Sequence, residues 1–118
     1  MRAGDAVGRY GERVAVAHLE ADGMRVLARN WRCPQGEIDV VALDGDCLVV
    51  CEVKTRRSPS CGSPAESVTR AKVARLRRLA AAWLAGQDAG YAEVRLDVLA
   101  VRCPPRGAAV VAHLRGVA

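Results

Sequence analysis

The sequence predicts an α/β protein: a mixed β-sheet flanked by helices, in the order α-β-β-β-α-β-β. Three observations lead there. Two segments of helical length carry apolar residues at helical spacing, one near the N-terminus and one in the second half of the chain. Around them lie runs of Val, Ile and Leu alternating with polar residues, which read as strands. One pair of runs, within Gly36–Lys54, is joined at Asp44-Gly45-Asp46, a strong hairpin signal. At 118 residues, with 51% hydrophobic and 26% charged residues, the chain suits a single domain over 1–118. It shows no repeats, low-complexity stretches or linkers.

Residues 1–5 are expected to fray, and the first helix to run from near Ala6 to about Ala21, stopped by Gly23. Tyr10, Val14, Ala15, Ala17 and Leu19 supply apolar positions. Glu12 lies three residues before Ala15, four before Val16 and seven before Leu19, so it projects near the face that meets the sheet. Pairing with Arg9 or Arg13 on the helix edge is the simpler alternative for it. His18 has no partner at metal-ligand spacing and reads as a structural or surface histidine. A first strand over Met24–Trp31 and a polar turn region over Arg29–Gly36 follow.

The hairpin is the informative stretch. Its first strand carries Glu37 and Asp39, its second Glu52 and Lys54, among otherwise aliphatic residues. Side chains alternate faces along a strand, so Glu37 shares a face with Asp39, and Glu52 with Lys54. Asp44-Gly45 as a two-residue turn would put all four on one side, with Asp39 and Glu52 diagonal neighbours roughly 7–8 Å apart. A loop of Asp44 to Cys47 would also keep them together, with Asp39 directly opposite Glu52. A three-residue loop would separate them, because a one-residue slip reverses every side chain. Converging carboxylates suit a hard cation such as Mg²⁺; an ordinary charged strand face is the alternative.

Beyond Lys54, residues 55–62 read as a basic loop containing Arg56 and Arg57, either solvated or touching phosphate. Ser63-Pro64-Ala65-Glu66 is a capping box with proline at the first helical position, expected to open a helix reaching about Ala85. Val68, Leu76, Leu79, Ala80 and Trp83 form its apolar stripe, interrupted by Lys72, and Arg70, Arg75, Arg77 and Arg78 make its exposed side basic. Ala92–Cys103 reads as a strand with Glu93, Arg95, Asp97 and Leu99 on one face, and Ala108–Leu114 as a returning edge strand.

A net charge of +5, rich in arginine, permits a polyanionic partner. Five cysteines without a C-x-x-C pair argue against a disulfide scaffold or structural zinc and for a reducing cytoplasm. Cys47 and Cys51 are expected opposite Glu52, as small hydrophobes. No signal peptide or membrane span is visible.

Asp39, then Glu52-Val53-Lys54 thirteen residues on, after a helix bearing Glu12, resembles the PD-(D/E)xK nuclease superfamily. The whole chain resembles the small bacterial proteins of the uncharacterised UPF0102 (YraN) family. The resemblance rests on Gly11-Glu12, Arg29-Asn30-Trp31-Arg32, Gly36-Glu37-Ile38-Asp39, Glu52-Val53-Lys54-Thr55-Arg56, Lys72 and Arg95-Leu96-Asp97-Val98. That family is similar to archaeal Holliday-junction resolvases, which implies a restriction-endonuclease-like fold and a Mg²⁺- or Mn²⁺-dependent endonuclease acting on structured or branched nucleic acid. The competing function is a non-catalytic nucleic-acid-binding module on the same fold. On the resemblance, Asp39 and Glu52 would hold the metal, with the Val53 carbonyl as a third ligand. Lys54 would be the catalytic lysine and Glu12 the additional helix acid. Ile38 replaces the superfamily's proline, which carries no chemistry. Arg56, Arg57, Arg70, Lys72 and Arg75 are the expected nucleic-acid contacts, with DNA preferred over RNA, no membrane, and a homodimer left open.

Overall fold

The structure, a computed structural model that describes residues 6–57, 63–88 and 90–117, is a five-stranded sheet with one helix on each face. Helix α1 (Ala6–Ala21) leads into strands β1 (Arg25–Cys33), β2 (Gly36–Asp44) and β3 (Cys47–Arg56). A 3₁₀ turn (Pro64–Ser67) and helix α2 (Arg70–Ala85) follow, then β4 (Glu93–Arg102) and β5 (Val110–Leu114). The order α-β-β-β-α-β-β is the one the sequence predicts. Strands lie in the sheet in chain order, antiparallel except for β3 and β4, which are parallel. A parallel pair needs a crossover, and α2 supplies it.

Two aliphatic layers sandwich the sheet. Val40, Ala42, Val49 and Cys51 pack with Ala15 and Leu19 of α1, whereas Val41, Leu48, Val50, Leu96 and Val98 pack with Leu76, Leu79, Ala80 and Trp83 of α2. Cys47 and Cys51 belong to the α1 layer, as their alternation with Glu52 predicts, and burial raises the pKa of both thiols. The described cysteines Cys33, Cys47, Cys51 and Cys103 are all free thiols. Helix α1 approaches β3 closely at Gly11, where a Cβ would lie 2.0 Å from Thr55 Oγ1. Glycine is required there by space, not by backbone angle.

Three of the boundaries that differ from the sequence reading matter for the site. The hairpin turn is Gly45-Asp46, since Asp44 pairs with Cys47. Gly45 takes φ +64° and Asp46 does not have positive φ, which suits a turn whose first central residue is glycine. The Asp44-Gly45 turn would have forced Asp44 into the left-handed region. Second, the capping box at Ser63 opens only one 3₁₀ turn. Ser63 N–H donates to Glu66 Oε1 at 2.8 Å, but Val68 is extended (φ −93°, ψ 101°). Thr69 then caps α2 afresh by accepting from Lys72 N–H at 3.1 Å. Third, β1 extends through Asn30 to Cys33, across a segment that reads as a turn. The expectations for residues 1–5, for Cys61 and for most of the basic loop, 58–62, lie outside the described residues. Among the described residues, no helix is long and apolar enough to cross a membrane.

Candidate functional site

The β2–β3 ladder runs from Asp44↔Cys47 to Val40↔Cys51. One further step sets Asp39 directly opposite Glu52, the arrangement that the longer-loop reading gives, rather than diagonal to it. There the ladder gives way to a side chain: Val53 N–H donates to Asp39 Oδ2 at 2.8 Å. Regular alternation also lapses, because Ile38 packs in the α2 layer while Val40 packs in the α1 layer. The strands therefore part at the acids and leave a cleft of about 420 Å³, lined by Glu37, Asp39, Glu52, Val53, Lys54, Lys72 and Arg75. Asp39 and Glu52 are buried and Lys54 is exposed at the rim.

Helix α2 supplies two cations to this cleft. Lys72 Nζ lies 2.9 Å from Glu52 Oε2, and Arg75 Nη2 lies 2.5 Å from Glu52 Oε1. The spacing of three residues places both on the helix face that carries Leu76 and Leu79 toward the sheet. Both cations, which the sequence assigns to nucleic-acid contact, are thus engaged with a site acid. Lys54 has no ion-pair partner among the described residues. Arg56, Arg57 and Arg70 are exposed.

Glu12 is buried but does not line this cleft. The Asn30 amide, turned with nitrogen toward Glu12, donates to its Oε1 and Oε2 at 3.1 and 3.3 Å. Asn30 takes φ +52°, the left-handed region that asparagine tolerates better than most residues. The β1–β2 ladder keeps one register from Arg29↔Val40 to Trp31↔Ile38, so Asn30 lies across from Asp39. The sequence reading counts Asn30 among the residues that carry the family resemblance but places it in a turn and gives it no part in the site.

The carboxylates offer hard oxygen donors, which fit Mg²⁺ or Mn²⁺ chemically. Each Glu52 oxygen keeps a lone pair beyond its cation. A divalent ion would, however, compete with Lys72 and Arg75 for Glu52.

A second polar cluster lies on the opposite, α1 face of the sheet, on β4 and β5. Asp97, fully buried, accepts from Arg95 Nε (2.9 Å) and Nη2 (3.1 Å), from Gly116 N–H (3.0 Å) and from His113 Nε2 (2.7 Å). Burial alone would raise its pKa, but Arg95, the Gly116 N–H and His113 together hold it below the ordinary carboxylate value. The bonds to Asp97 and then to Asp44 raise the Arg95 pKa in turn, against the opposing effect of burial.

The family model described as "Uncharacterised protein family UPF0102" matches residues 11–101, a span that holds the whole cleft. The chain belongs to family UPF0102. Its UPF0102 relatives include a "UPF0102 protein" of Beutenbergia cavernae, 63% identical over 117 residues covering 99% of each chain. Another, from Kineococcus radiotolerans, is 64% identical over 118 residues, covering 99% of this chain and 97% of the relative. A third, from Nocardioides sp., is 53% identical over 112 residues. Membership of UPF0102 names no reaction, so the function is argued from the cleft.

Proposed function

We propose that this UPF0102 chain is a metal-dependent nuclease that hydrolyses phosphodiester bonds in structured or branched nucleic acid. The reading is supported above all by one observation: two buried carboxylates, Asp39 and Glu52, share a cleft with Lys54 where the β2–β3 ladder ends. The element order and the acid-acid-lysine set are also those expected of a restriction-endonuclease-like enzyme. Asp39 and Glu52 would hold Mg²⁺ or Mn²⁺. Bound there, the ion would supply Lewis-acid polarisation of a phosphoryl oxygen. The chain's own groups do the rest. Val53 N–H fixes the Asp39 carboxylate in one orientation. Lys54, at the rim, stabilises negative charge developing on the scissile phosphate. Lys72 and Arg75 hold Glu52 in place and offer positive charge to the phosphate backbone. Exposed Arg56, Arg57 and Arg70 add sequence-independent contacts, for DNA ahead of RNA. Glu12 braces the site through Asn30.

A second reading has its own observation. Both Glu52 oxygens already carry a cation from the chain, an arrangement that is complete without an ion and suits a non-catalytic nucleic-acid-binding module. One experiment separates the two: a Mg²⁺ and Mn²⁺ activity screen over branched, nicked and single-stranded substrates, with Asp39→Ala and Lys54→Ala controls. The nuclease reading expects cleavage by wild type, lost in both variants, with Lys54→Ala retaining most of its affinity for nucleic acid. Binding without cleavage, and no divalent ion detected at the cleft by calorimetry, would leave the binding module as the better account.

A further inference from the structure

We propose that His18, Asp22 and His113 form a binding site for a divalent transition-metal ion, zinc above all, on the α1 face of the sheet and separate from the Asp39–Glu52 cleft. One ligand atom from each of the three residues lies within 4.8 Å of the other two. His18 Nε2 and His113 Nδ1 are 3.2 Å apart, with the rings at 71°. Two nitrogens bound tetrahedrally at about 2.0–2.1 Å from zinc stand about 3.3–3.4 Å apart, so the pair already has the separation of two ligands of one ion and needs only a turn of each ring toward it. Imidazole nitrogen with one carboxylate oxygen suits zinc, whereas the all-oxygen cleft suits magnesium.

The buried network behind His113 prepares it as a ligand. Asp97 already accepts from Arg95 and from the Gly116 N–H, so in its 2.7 Å bond to His113 the Nε2–H is the donor. In the neutral ring, Nδ1 then presents a lone pair toward His18. This is the carboxylate–histidine pairing that orients imidazole ligands at metal centres. Without an ion, His18 Nε2–H donates to that lone pair. With one, His18 would bind through Nε2 and carry its N–H on Nδ1.

The surroundings favour a cation and leave a path to it. His18 lies in the last turn of α1, at the partially negative end of the helix. The backbone N–H of Asp22 donates to the His18 carbonyl at 3.1 Å, which fixes the third ligand beside the first. Arg115 pairs with Oδ2 of Asp22 and leaves Oδ1 for the ion. The His113 side chain is 6% exposed and that of Asp22 39%, so the site opens to solvent on the Asp22 side, where water can complete the coordination. A bound ion would fasten the end of α1 to edge strand β5, joining elements from opposite ends of the chain.

The test uses untagged full-length protein stripped of metal, in an Asp39→Asn/Glu52→Gln background that disables the cleft. Failure of this site and failure of the nuclease reading are thereby kept apart. Zinc is titrated calorimetrically, Co²⁺ is read by its visible spectrum, and melting is followed with and without zinc. The expected result is one Zn²⁺ per chain, a Co²⁺ spectrum of low coordination number without thiolate charge transfer, and a zinc-dependent rise in Tm. His18→Gln, at a half-buried position, should fold normally without metal and bind zinc at least about 100-fold more weakly, and Asp97→Asn should cost about 10–100-fold. Absence of stoichiometric zinc binding at ~100 µM overturns the site. So does binding that survives His18→Gln unchanged or disappears when the cysteines are alkylated.

Discussion

Asp97 carries a full charge with no exposed surface, and everything around it is arranged to keep that charge. Arg95 grips both its oxygens and bridges to Asp44 at 3.0 Å, while His113 and the Gly116 N–H fill the remaining directions. A buried charge with a full set of partners is costly to disturb, since removing one member leaves the others desolvated and unpaired. Asp97→Asn should therefore destabilise the fold by on the order of 3 kcal/mol at neutral pH, measured by urea unfolding. The pH dependence has a definite sign. The folded pKa lies below the unfolded value of about 3.9, so the stabilisation is present above that value and is lost as pH falls through the folded pKa. Wild type should lose stability steeply below pH ~4, and Asp97→Asn should flatten that limb. Equal acid limbs in the two proteins would show that other carboxylates govern acid unfolding.

At the scale of elements, the docking of α1 on β3 depends on Gly11. A methyl group there would meet Thr55 Oγ1 at 2.0 Å, Cγ2 at 2.6 Å and Cβ at 2.8 Å. Gly11 is buried within α1, where alanine would otherwise be the better helix former. Gly11→Ala should nevertheless cost about 1–3 kcal/mol through overpacking. Thr55→Ala should recover part of that loss in the double variant, since it removes the two nearest atoms but leaves Cβ. Independent, additive effects in that cycle would contradict direct contact. Position 11 also shows what the sequence conceals: a glycine inside a helix is visible, but the residue it makes room for is forty-four positions away. The same limit governs the cleft. Asp39, Glu52 and Lys54 could be brought together from alternation and a turn, because both are local. The turn lies one residue beyond the Asp44-Gly45 that the sequence favours, and both even-residue loops keep the acids on one face. Lys72 and Arg75 were visible as basic residues on α2, but pairing with Glu52 depends on how the helix crosses the sheet. Asn30, and the partnership of His18 with His113, ninety-five residues apart, are likewise products of packing.

Across the whole molecule, the net charge of +5 overstates what a polyanion meets at the cleft. Glu52 holds Lys72 and Arg75 against itself, and its single negative charge offsets one of the two. Arg56, Arg57, Arg70, Arg77 and Arg78 are exposed, and affinity for nucleic acid should start from groups of that kind. Their contacts are led by counterion release, so affinity should fall with salt in proportion to the phosphates engaged. Glu52→Gln tests whether the held pair belongs to the same surface. An amide exerts a much weaker pull on Lys72 and Arg75, and the variant gains one unit of positive charge at the cleft. In buffer with EDTA it should bind a branched duplex more tightly than wild type, and its plot of log K against log salt should be steeper by about 1 to 2 units. The same variant should lose divalent-ion binding at the cleft, because a neutral amide is a poor ligand for a hard dication. Tighter binding with lost ion dependence is a combination that general damage to the fold does not produce. An unchanged slope would mean that Lys72 and Arg75 serve only to hold Glu52, and that phosphate is met elsewhere on the molecule.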